Sequence, residues 1–434
     1  MGVSTTKYEV RCPMHGSIPF NDREKEMMDH PFFQRLRSIS QLGFASYVYP
    51  GATHTRFNHG LGAMHLAGRI YDHMVNLPGF EGLKFGTDHI AYCRQIVRFA
   101  GLLHDTGHAP FSHAFEPLLP SRLNLELPRE WYRNFDPQRQ ASHEDYSVAL
   151  IFAIANESKP LLSLLEAQDI CSLIHHEIRP SKEFSEGGPT SLFPLLRQII
   201  SGEIDVDRMD YLRRDAYFAG VSYGYFDQDR LIQSLGWETT EEGVVMTLDE
   251  SAVYTFENFL MTRFHMAMQV YLHKTVVLFD HYLVSSVQAG EIECPLENGL
   301  NDFLATREEV ILARLYKAKD KFWASHIIYR KPFSRLIQLP PDVDEHKRHR
   351  MLEGLKAKGV NPIHIRTSRR LSTLGEKGTP PILLRSRHLG KIQHRPLHEA
   401  SVLLEKYNQD FVIENIYCKA DQILLGQQVL QSLE

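Results

Sequence analysis

Residues 90–103 (Ile90-Ala91-Tyr92-Cys93-Arg94-Gln95-Ile96-Val97-Arg98-Phe99-Ala100-Gly101-Leu102-Leu103) are apolar on most faces of a helix. A helix with almost no polar face must be covered on all sides, so it belongs inside a helical core. This one runs directly into His104-Asp105. Two ligating side chains therefore emerge at the end of a buried helix. Thr106 and Gly107 loosen the chain after them, and Pro110 prevents the helix from continuing.

The surrounding text fits a mainly helical protein. The chain has 434 residues with 43% hydrophobic content, enough for two to three units each with a core. Residues 1–20 read as an extended lead-in, with Tyr8-Glu9-Val10 as a short strand. Helical patterning holds from Asp22 to about residue 290, with Asn21 or Asp22 as the first cap and Pro31 opening a second helix that reaches Ser40. Residues 237–249 predict a hairpin turning at Glu242-Gly243. Helical text continues to about 320, and short β-like runs follow at 335–339, 363–366, 382–384 and 411–416. The expected fold is mainly α: one helical domain over 1–300 and a smaller, basic C-terminal α+β region over 301–434.

Composition excludes several classes. No run of 18 apolar residues is present, so no membrane-spanning helix is expected. The start lacks an apolar signal core. The five cysteines are scattered without a CxxC pair, which argues against a disulfide framework or zinc knuckle and favours a reducing, cytoplasmic setting. The net charge of -5 hides a split. Residues 301–400 hold 21 Lys+Arg and 10 Asp+Glu, a local +11, so the remainder carries -16. That basic segment is either a solvated face or a polyanion site for nucleotide phosphates or nucleic acid.

Of 23 histidines, nine lie within residues 54–143. The metal-like text there is His104-Asp105, with His59 before it in Arg56-Phe57-Asn58-His59-Gly60 and Asp207 after it in Ile204-Asp205-Val206-Asp207-Arg208. Two imidazoles and two carboxylates form a mixed N/O set that suits Fe, Mn or another octahedral divalent ion better than a thiolate zinc site. His54, His65, His73 and His89 are read as structural, core histidines.

The run His104-Asp105-Thr106-Gly107-His108-Ala109-Pro110-Phe111-Ser112-His113 carries a family resemblance. With Gln41-Leu42-Gly43, Tyr47 through His59, Ser142-His143-Glu144, Ile204 to Asp215 and Arg263 to Lys274, the sequence resembles the HD-domain phosphohydrolases. Within them it is similar to the deoxynucleoside triphosphate triphosphohydrolases. The matching blocks span roughly residues 8–290 in order.

The resemblance implies water attack on an α-phosphorus, releasing deoxynucleoside and intact triphosphate. It implies a divalent metal (Fe, Mn, Mg or similar) held by His59, His104, Asp105 and Asp207. His108, His113 and His143 become proton donors and phosphate contacts, with His113 as the acid and Glu116 as its orienting partner. His143 with Glu144 forms a second such pair. Arg56, Arg208, Arg263 and Lys274 would grip the triphosphate, with Tyr211 on the helix face of Asp207 and Asp215. Gln41 and Asp215 would hold a 3′ hydroxyl, while Leu42 and Tyr271 would close the space of a 2′ hydroxyl. Asp29, Gln34 and Arg37 match residues that hold an activating nucleotide in relatives that assemble as oligomers. The implied partners are deoxynucleoside triphosphates, an activating nucleotide and further copies of the chain in a dimer or tetramer. Two alternatives stay open: another HD phosphohydrolase or phosphodiesterase, and a non-catalytic nucleic-acid-binding protein.

Overall fold

The structure, a computed structural model, describes residues 7–433 apart from 186–187, 297–298, 371, 373–381, 389–390, 402 and 404–409. Strands β1 (Tyr8–Cys12) and β2 (Gly16–Phe20) form an antiparallel hairpin with Tyr8 opposite Phe20 and Cys12 opposite Gly16. Helix α1 (Asp22–Asp29) starts from Asn21 through a reciprocal cap. The Asn21 side chain accepts from the Glu24 amide, and the Glu24 carboxylate accepts from the Asn21 amide. Pro31 opens the next helix as expected, but that helix ends at Gln34 and tightens to a 3₁₀ turn over Arg35–Ser38. The chain must be extended by Ile39, because Ile39 O accepts from Arg56 N and Ser40 bridges Thr55.

The helical core follows: α2 (Arg56–Val75), α3 (Thr87–Leu103), α4 (His143–Ala155), α5 (Leu164–Ile174), α6 (Phe193–Ser201) and α7 (Val206–Ala219). Residues 96–103 of α3 are all buried, so the sequence reading of its C-terminal half holds. Its first turns lie partly open. Strands β3 (Leu235–Thr240) and β4 (Gly243–Asp249) form the expected hairpin, but its turn is Glu241-Glu242. Gly243 pairs with Thr240 and belongs to the strand. Helix α8 (Val253–Met266) passes into a π turn at Ala267–Tyr271 before α9 (Val276–Gln288).

The C-terminal part adds helices at Leu300–Ala305, Glu308–Lys317 and Phe322–Ile328, then β5 (Ser334–Leu339), α10 (Glu345–Ala357), β6 (Ile363–Arg370), β7 (Leu383–His388), β8 (Lys391–Pro396), β9 (Asp410–Cys418) and α11 (Ile423–Gln431). Strands β5, β9 and β6 make one antiparallel sheet. Strand β7 pairs parallel with β4 and antiparallel with β8, so the hairpin at 235–249 grows into a four-stranded sheet. The fold is mainly α with a smaller C-terminal sheet region. The main apolar core takes in Phe303, Ile311, Leu315, Ile327, Ile382 and Leu397 together with the helices before residue 300. A second core holds Leu336, Met351, Leu355, Ile416 and Val429.

One buried ion pair ties the first helix to the central one. Arg98 donates to both oxygens of Glu24 at 2.6 and 2.8 Å, with Glu24 1% and Arg98 3% exposed. Burial would raise the Glu24 pKa, but Arg98 outweighs it and holds it below the ordinary value. A folded-state pKa below the unfolded one adds stability above the unfolded value, and that stability is lost as pH falls through the folded one. Glu24→Ala is expected to cost about 3–5 kcal/mol by stranding the Arg98 charge. Thermal unfolding across acid pH checks it: the variant should melt lower at neutral pH and lose less on acidification.

Candidate active site

The start of α2 supplies Arg56 and His59, the end of α3 leads into His104 and Asp105, and the first turn of α7 supplies Asp207. His59 Nε2 lies 2.9 Å from Asp207 Oδ1, 3.2 Å from His104 Nε2 and 3.6 Å from Asp105 Oδ2. His104 Nε2 lies 3.5 Å from Asp105 Oδ1 and 3.5 Å from Asp207 Oδ1. Donors at right angles around an ion with bonds of about 2.1 Å stand about 3 Å apart. His59, His104 and Asp105 bring ligand atoms close enough together to share one divalent ion, and Asp207 Oδ1 lies beside both imidazoles.

Ring orientation supports the same conclusion. His59 Nδ1 faces Asp210 Oδ2 at 2.8 Å, and His104 Nδ1 faces Gly101 O at 2.9 Å. Each acceptor fixes the N–H at Nδ1 and turns the Nε2 lone pair inward. With both lone pairs turned inward, two nitrogens 3.2 Å apart repel unless a metal ion or a proton lies between them. A proton competes for that place. Burial disfavours charge on His59, yet Asp207 and Asp210 outweigh it and carry its pKa up to about 10. Metal binding at this site thus releases a proton.

Asp210 is itself gripped from three sides. Arg214 donates to both its oxygens at 2.7 and 2.8 Å, and His15 Nε2 lies 2.6 Å from Oδ1. The tip of the β1–β2 hairpin thereby reaches a group that orients a metal ligand. Neither His15 nor Asp210 is legible as a site residue from the sequence. His15 is separated by 195 residues from its partner, and Asp210 looks like any other charge on α7.

Next to the metal set lies the histidine cluster. His108 Nε2 is 3.3 Å from Asp105 Oδ1, and its ring stacks on His143 at 4.0 Å. Glu116 accepts from both neighbours: His113 Nδ1 at 3.2 Å, and His143 Nδ1 in a short contact. The expected His143–Glu144 pair does not form. Glu144 instead faces His175 Nε2 at 3.9 Å, because α4 begins at His143 and turns the next side chain away. Burial would lower the His143 pKa, but Glu116 raises it above the ordinary value. Burial lowers His113, only partly offset by Glu116, although its side chain is 52% exposed on the open side. Burial and then Arg56 and His143 push His108 well below the ordinary value. Of the three rings, His143 is the one whose surroundings favour a proton.

Local backbone explains how these groups meet. Gly107 is needed for close approach: a Cβ there would overlap His143 O and Ser147 N of α4. Phe111 and Ser112 both adopt left-handed φ (57° and 56°), a strain of roughly 1–3 kcal/mol each. Half-buried Glu308 accepts from Phe111 N at 2.9 Å and from Ser40 N and Oγ at 2.7 Å each, clamping the two loops together. Ser112 Oγ then accepts from Arg56 Nε at 2.8 Å. Glu308 carries no sequence signal, because its partners are backbone atoms of remote loops.

Further along α7 a buried polar cluster surrounds Asp215. Tyr271 donates to Asp215 Oδ2 at 2.8 Å, and His54 Nε2 lies 2.8 Å from Oδ1. Gln41 N donates to His54 O at 3.0 Å, and Gln41 Oε1 is buried without a partner. Leu42 is half-buried against the core, and Tyr211 packs at 6.0 Å from Tyr271. Tyr211, Asp215 and Tyr271 lie together, and Gln41 is tied to them through its main-chain bond to His54. His54, read as structural, belongs to the same cluster.

Residues 56–215 match the family described as HD domain. The chain carries an HD domain. It is 31% identical over 289 residues to the human deoxynucleoside triphosphate triphosphohydrolase SAMHD1, covering 62% of this chain and 42% of that protein. It is 34% identical over 263 residues to the Mycoplasma pneumoniae protein named "Uncharacterized protein MG461 homolog", covering 60% of this chain and 55% of that one. The chain spans about half the length of these curated relatives. A crystal structure of a hypothetical protein from Aquifex aeolicus superposes with a TM-score of 0.73 at 28% identity, covering 98% of this chain and 99% of that one.

The HD domain holds the four metal-site groups and the histidine cluster, whereas Gln41, Leu42, Arg263, Tyr271 and Lys274 lie outside it. The cations are not all arranged as expected. Arg56 NH1 meets Asp105 in a short contact. Arg208 is bound to Asp205 and to Gly202 O, and Arg263 to Glu203, all in short contacts. Burial would raise the Asp205 pKa, and despite Arg208 it reaches about 7. Lys274 does not share a helix face with Arg263 and Tyr271, because the π turn interrupts the helix. Its side chain is exposed, and its carbonyl accepts from Tyr417. Gln34 accepts from Arg37 at 2.8 Å, and Arg37 lies over Phe57 at 3.6 Å, but Asp29 faces Lys25 at 2.7 Å. The HD domain and its surroundings contain no helix, among the described residues, long and apolar enough to cross a membrane.

Proposed function

We propose that this chain hydrolyses deoxynucleoside triphosphates to deoxynucleoside and inorganic triphosphate. The observation that carries the reading is the Gln41–His54–Asp215–Tyr271 cluster built on the same helix as Asp207. A sugar held there lies beside a phosphate held at the metal set. The name of the human relative, a deoxynucleoside triphosphate triphosphohydrolase, supports the same substrate class.

A divalent ion at His59, His104, Asp105 and Asp207 would polarise the α-phosphate and lower the pKa of water. The chain's own groups supply the rest. Arg56, anchored by Ser112, is placed at the edge of the metal set to meet phosphate charge. Arg208 and Arg263 reach a triphosphate by exchanging Asp205 and Glu203 for phosphate oxygens. His113 donates a proton to the departing 5′ oxygen, whose alkoxide is a poor leaving group. The approaching phosphates raise its depressed pKa by adding negative charge beside it. Glu116 orients His113 and is itself held by His143.

A second reading has its own support. With Arg208 and Arg263 both engaged by carboxylates, a substrate with less phosphate charge would also fit the metal set. A nucleotide panel with Mg2+, Mn2+ or Fe2+ decides between them. Deoxynucleoside plus tripolyphosphate is expected, with ribonucleotides and 3′-deoxy analogues turned over more slowly. Monophosphate plus pyrophosphate, or turnover confined to monoesters or cyclic nucleotides, would overturn the triphosphatase reading. Assembly as a dimer or tetramer and activation by a second nucleotide belong to the same proposal. Particle size recorded with and without nucleotide tests both.

A further inference from the structure

The polar cluster around Asp215 contains one residue whose position is unlike that of a core histidine. His54 has no exposed side-chain surface, and its ring stacks on Phe218 with centroids 4.5 Å apart and planes at 16°. Its Nε2 lies 2.8 Å from Asp215 Oδ1. Its carbonyl accepts from the backbone amide of Gln41 at 3.0 Å. One residue thus ties down both polar groups of the proposed sugar pocket, Asp215 through the ring and Gln41 through the main chain.

Asp215 cannot be oriented by Tyr271 alone. A carboxylate bonded through one oxygen still turns about its Cβ–Cγ bond. With Tyr271 on Oδ2 and His54 on Oδ1, both oxygens are assigned and the plane is set. Each oxygen keeps a second lone pair, so a substrate hydroxyl can still be accepted. Gln41 Oε1, buried and unpartnered, is a second acceptor, on the residue whose main chain His54 holds. Two acceptors at fixed positions select a ligand that donates a hydroxyl.

We infer that His54 is a positioning residue for sugar recognition: it fixes Asp215 so that the pocket demands a 3′ hydroxyl on the nucleotide. This rests on the nucleotide reading above. His54 itself touches no reacting atom.

The test compares kcat/KM for a dNTP with that for its 2′,3′-dideoxy counterpart, in wild type, His54→Phe and His54→Gln, each checked for fold by circular dichroism and for metal content. His54→Phe keeps a ring against Phe218 and the main-chain bond to Gln41, and removes only the donor to Asp215. A hydrogen bond to a charged acceptor corresponds to roughly a 10- to 100-fold effect. The expected result is a loss of that order on the dNTP, expressed mainly in KM, with the dideoxy substrate changed by less than about threefold. His54→Gln, which restores a donor, is expected to recover most of the discrimination. Equal losses on both substrates in His54→Phe indicate a merely structural role and overturn the inference. Unchanged discrimination overturns it as well. If His54→Phe does not fold, His54→Gln decides alone, and loss of discrimination with a donor present overturns the inference. A wild type that hydrolyses no dNTP overturns the nucleotide reading and this inference together. A wild type active on dNTPs with a His54→Phe that still discriminates overturns only this one.

Discussion

Asp207→Ala is expected to abolish phosphate-ester hydrolysis and metal retention together. Asp207 bridges His59 and His104 at 2.9 and 3.5 Å, so it is the carboxylate that closes the ring of donors. Without it, two imidazoles and Asp105 remain, and Arg56 already competes for Asp105 in a short contact. Outer-layer changes at metal sites cost 10–100-fold, so loss of a ligand should cost roughly 10³-fold or more in turnover. Stability should change little, because the Asp207 side chain is 37% exposed and makes no backbone bond among the described residues. The measurement is released phosphate species alongside metal content by mass spectrometry. A variant that keeps both its metal and its turnover would remove the site from the mechanism.

The proton balance at this centre gives the metal its pH dependence. His59 is held at about 10 by Asp207 and Asp210 against the penalty of burial. The metal must displace that proton, so affinity rises with pH until the proton is gone. In Asp207→Ala one of the two acceptors is removed, and the ring becomes easier to deprotonate. The variant would then lack a ligand while having less need to release a proton, which is why metal content and turnover must be read together.

The candidate metal ligands were legible because their signal is local and rare. A buried helix ending in His-Asp gives two ligands at a known place, and His59 and Asp207 each sit in short, unusual contexts. The residues that orient these ligands were not legible. Asp210 lies on a helix that also carries Asp207, Arg208, Arg213, Arg214 and Asp215, so its charge stands out from nothing. His15 sits at the tip of a hairpin whose sequence predicts only extended chain. Its contact with Asp210 exists only after the hairpin has docked on the helices. His54 was set aside as a core histidine. It is buried, but the deciding fact is its partner Asp215, a residue 161 positions away.

The same contrast runs through the fold. Helices with a strong apolar stripe were visible, and so were strands rich in Ile, Val and Leu. Helix α10 buries only Met351 and Leu355, and its Glu345–Arg350 stretch reads as charge rather than as helix. Strand β8 has an exposed Ile392 and a proline at its last position, and pairing with β7 defines it. The cations illustrate a different gap. The resemblance points to Arg208 and Arg263 as phosphate ligands, but only the structure reveals that Asp205 and Glu203 hold them. Sequence can name a charge; it cannot name what neutralises it.

Gly62→Ala is expected to reverse the usual effect of that substitution. In an ordinary helix interior alanine is better than glycine by about 1 kcal/mol. Gly62 lies inside α2, facing the buried Asp210–Arg214 pair of α7. A Cβ there would overlap Asp210 Oδ1 and stand 2.5 Å from Arg214 NH2, both groups without exposed side-chain surface. Either α7 moves off α2 or Asp210 rotates. Rotation would break the contacts to Arg214, His15 and His59 at once, because all three converge on one carboxylate. Disrupting such a buried pair costs about 3–5 kcal/mol. Set against the helix gain, the net loss should be roughly 2–4 kcal/mol. Urea unfolding with metal present and with metal chelated measures the loss. Movement of α7 displaces Asp207, whereas rotation of Asp210 leaves Asp207 in place and frees His59 Nδ1. In both cases the variant binds metal more weakly than wild type, and the stability added by metal should shrink. A Gly62→Ala protein as stable as wild type, with metal affinity unchanged, would mean that α2 and α7 are not in the close contact this pair requires.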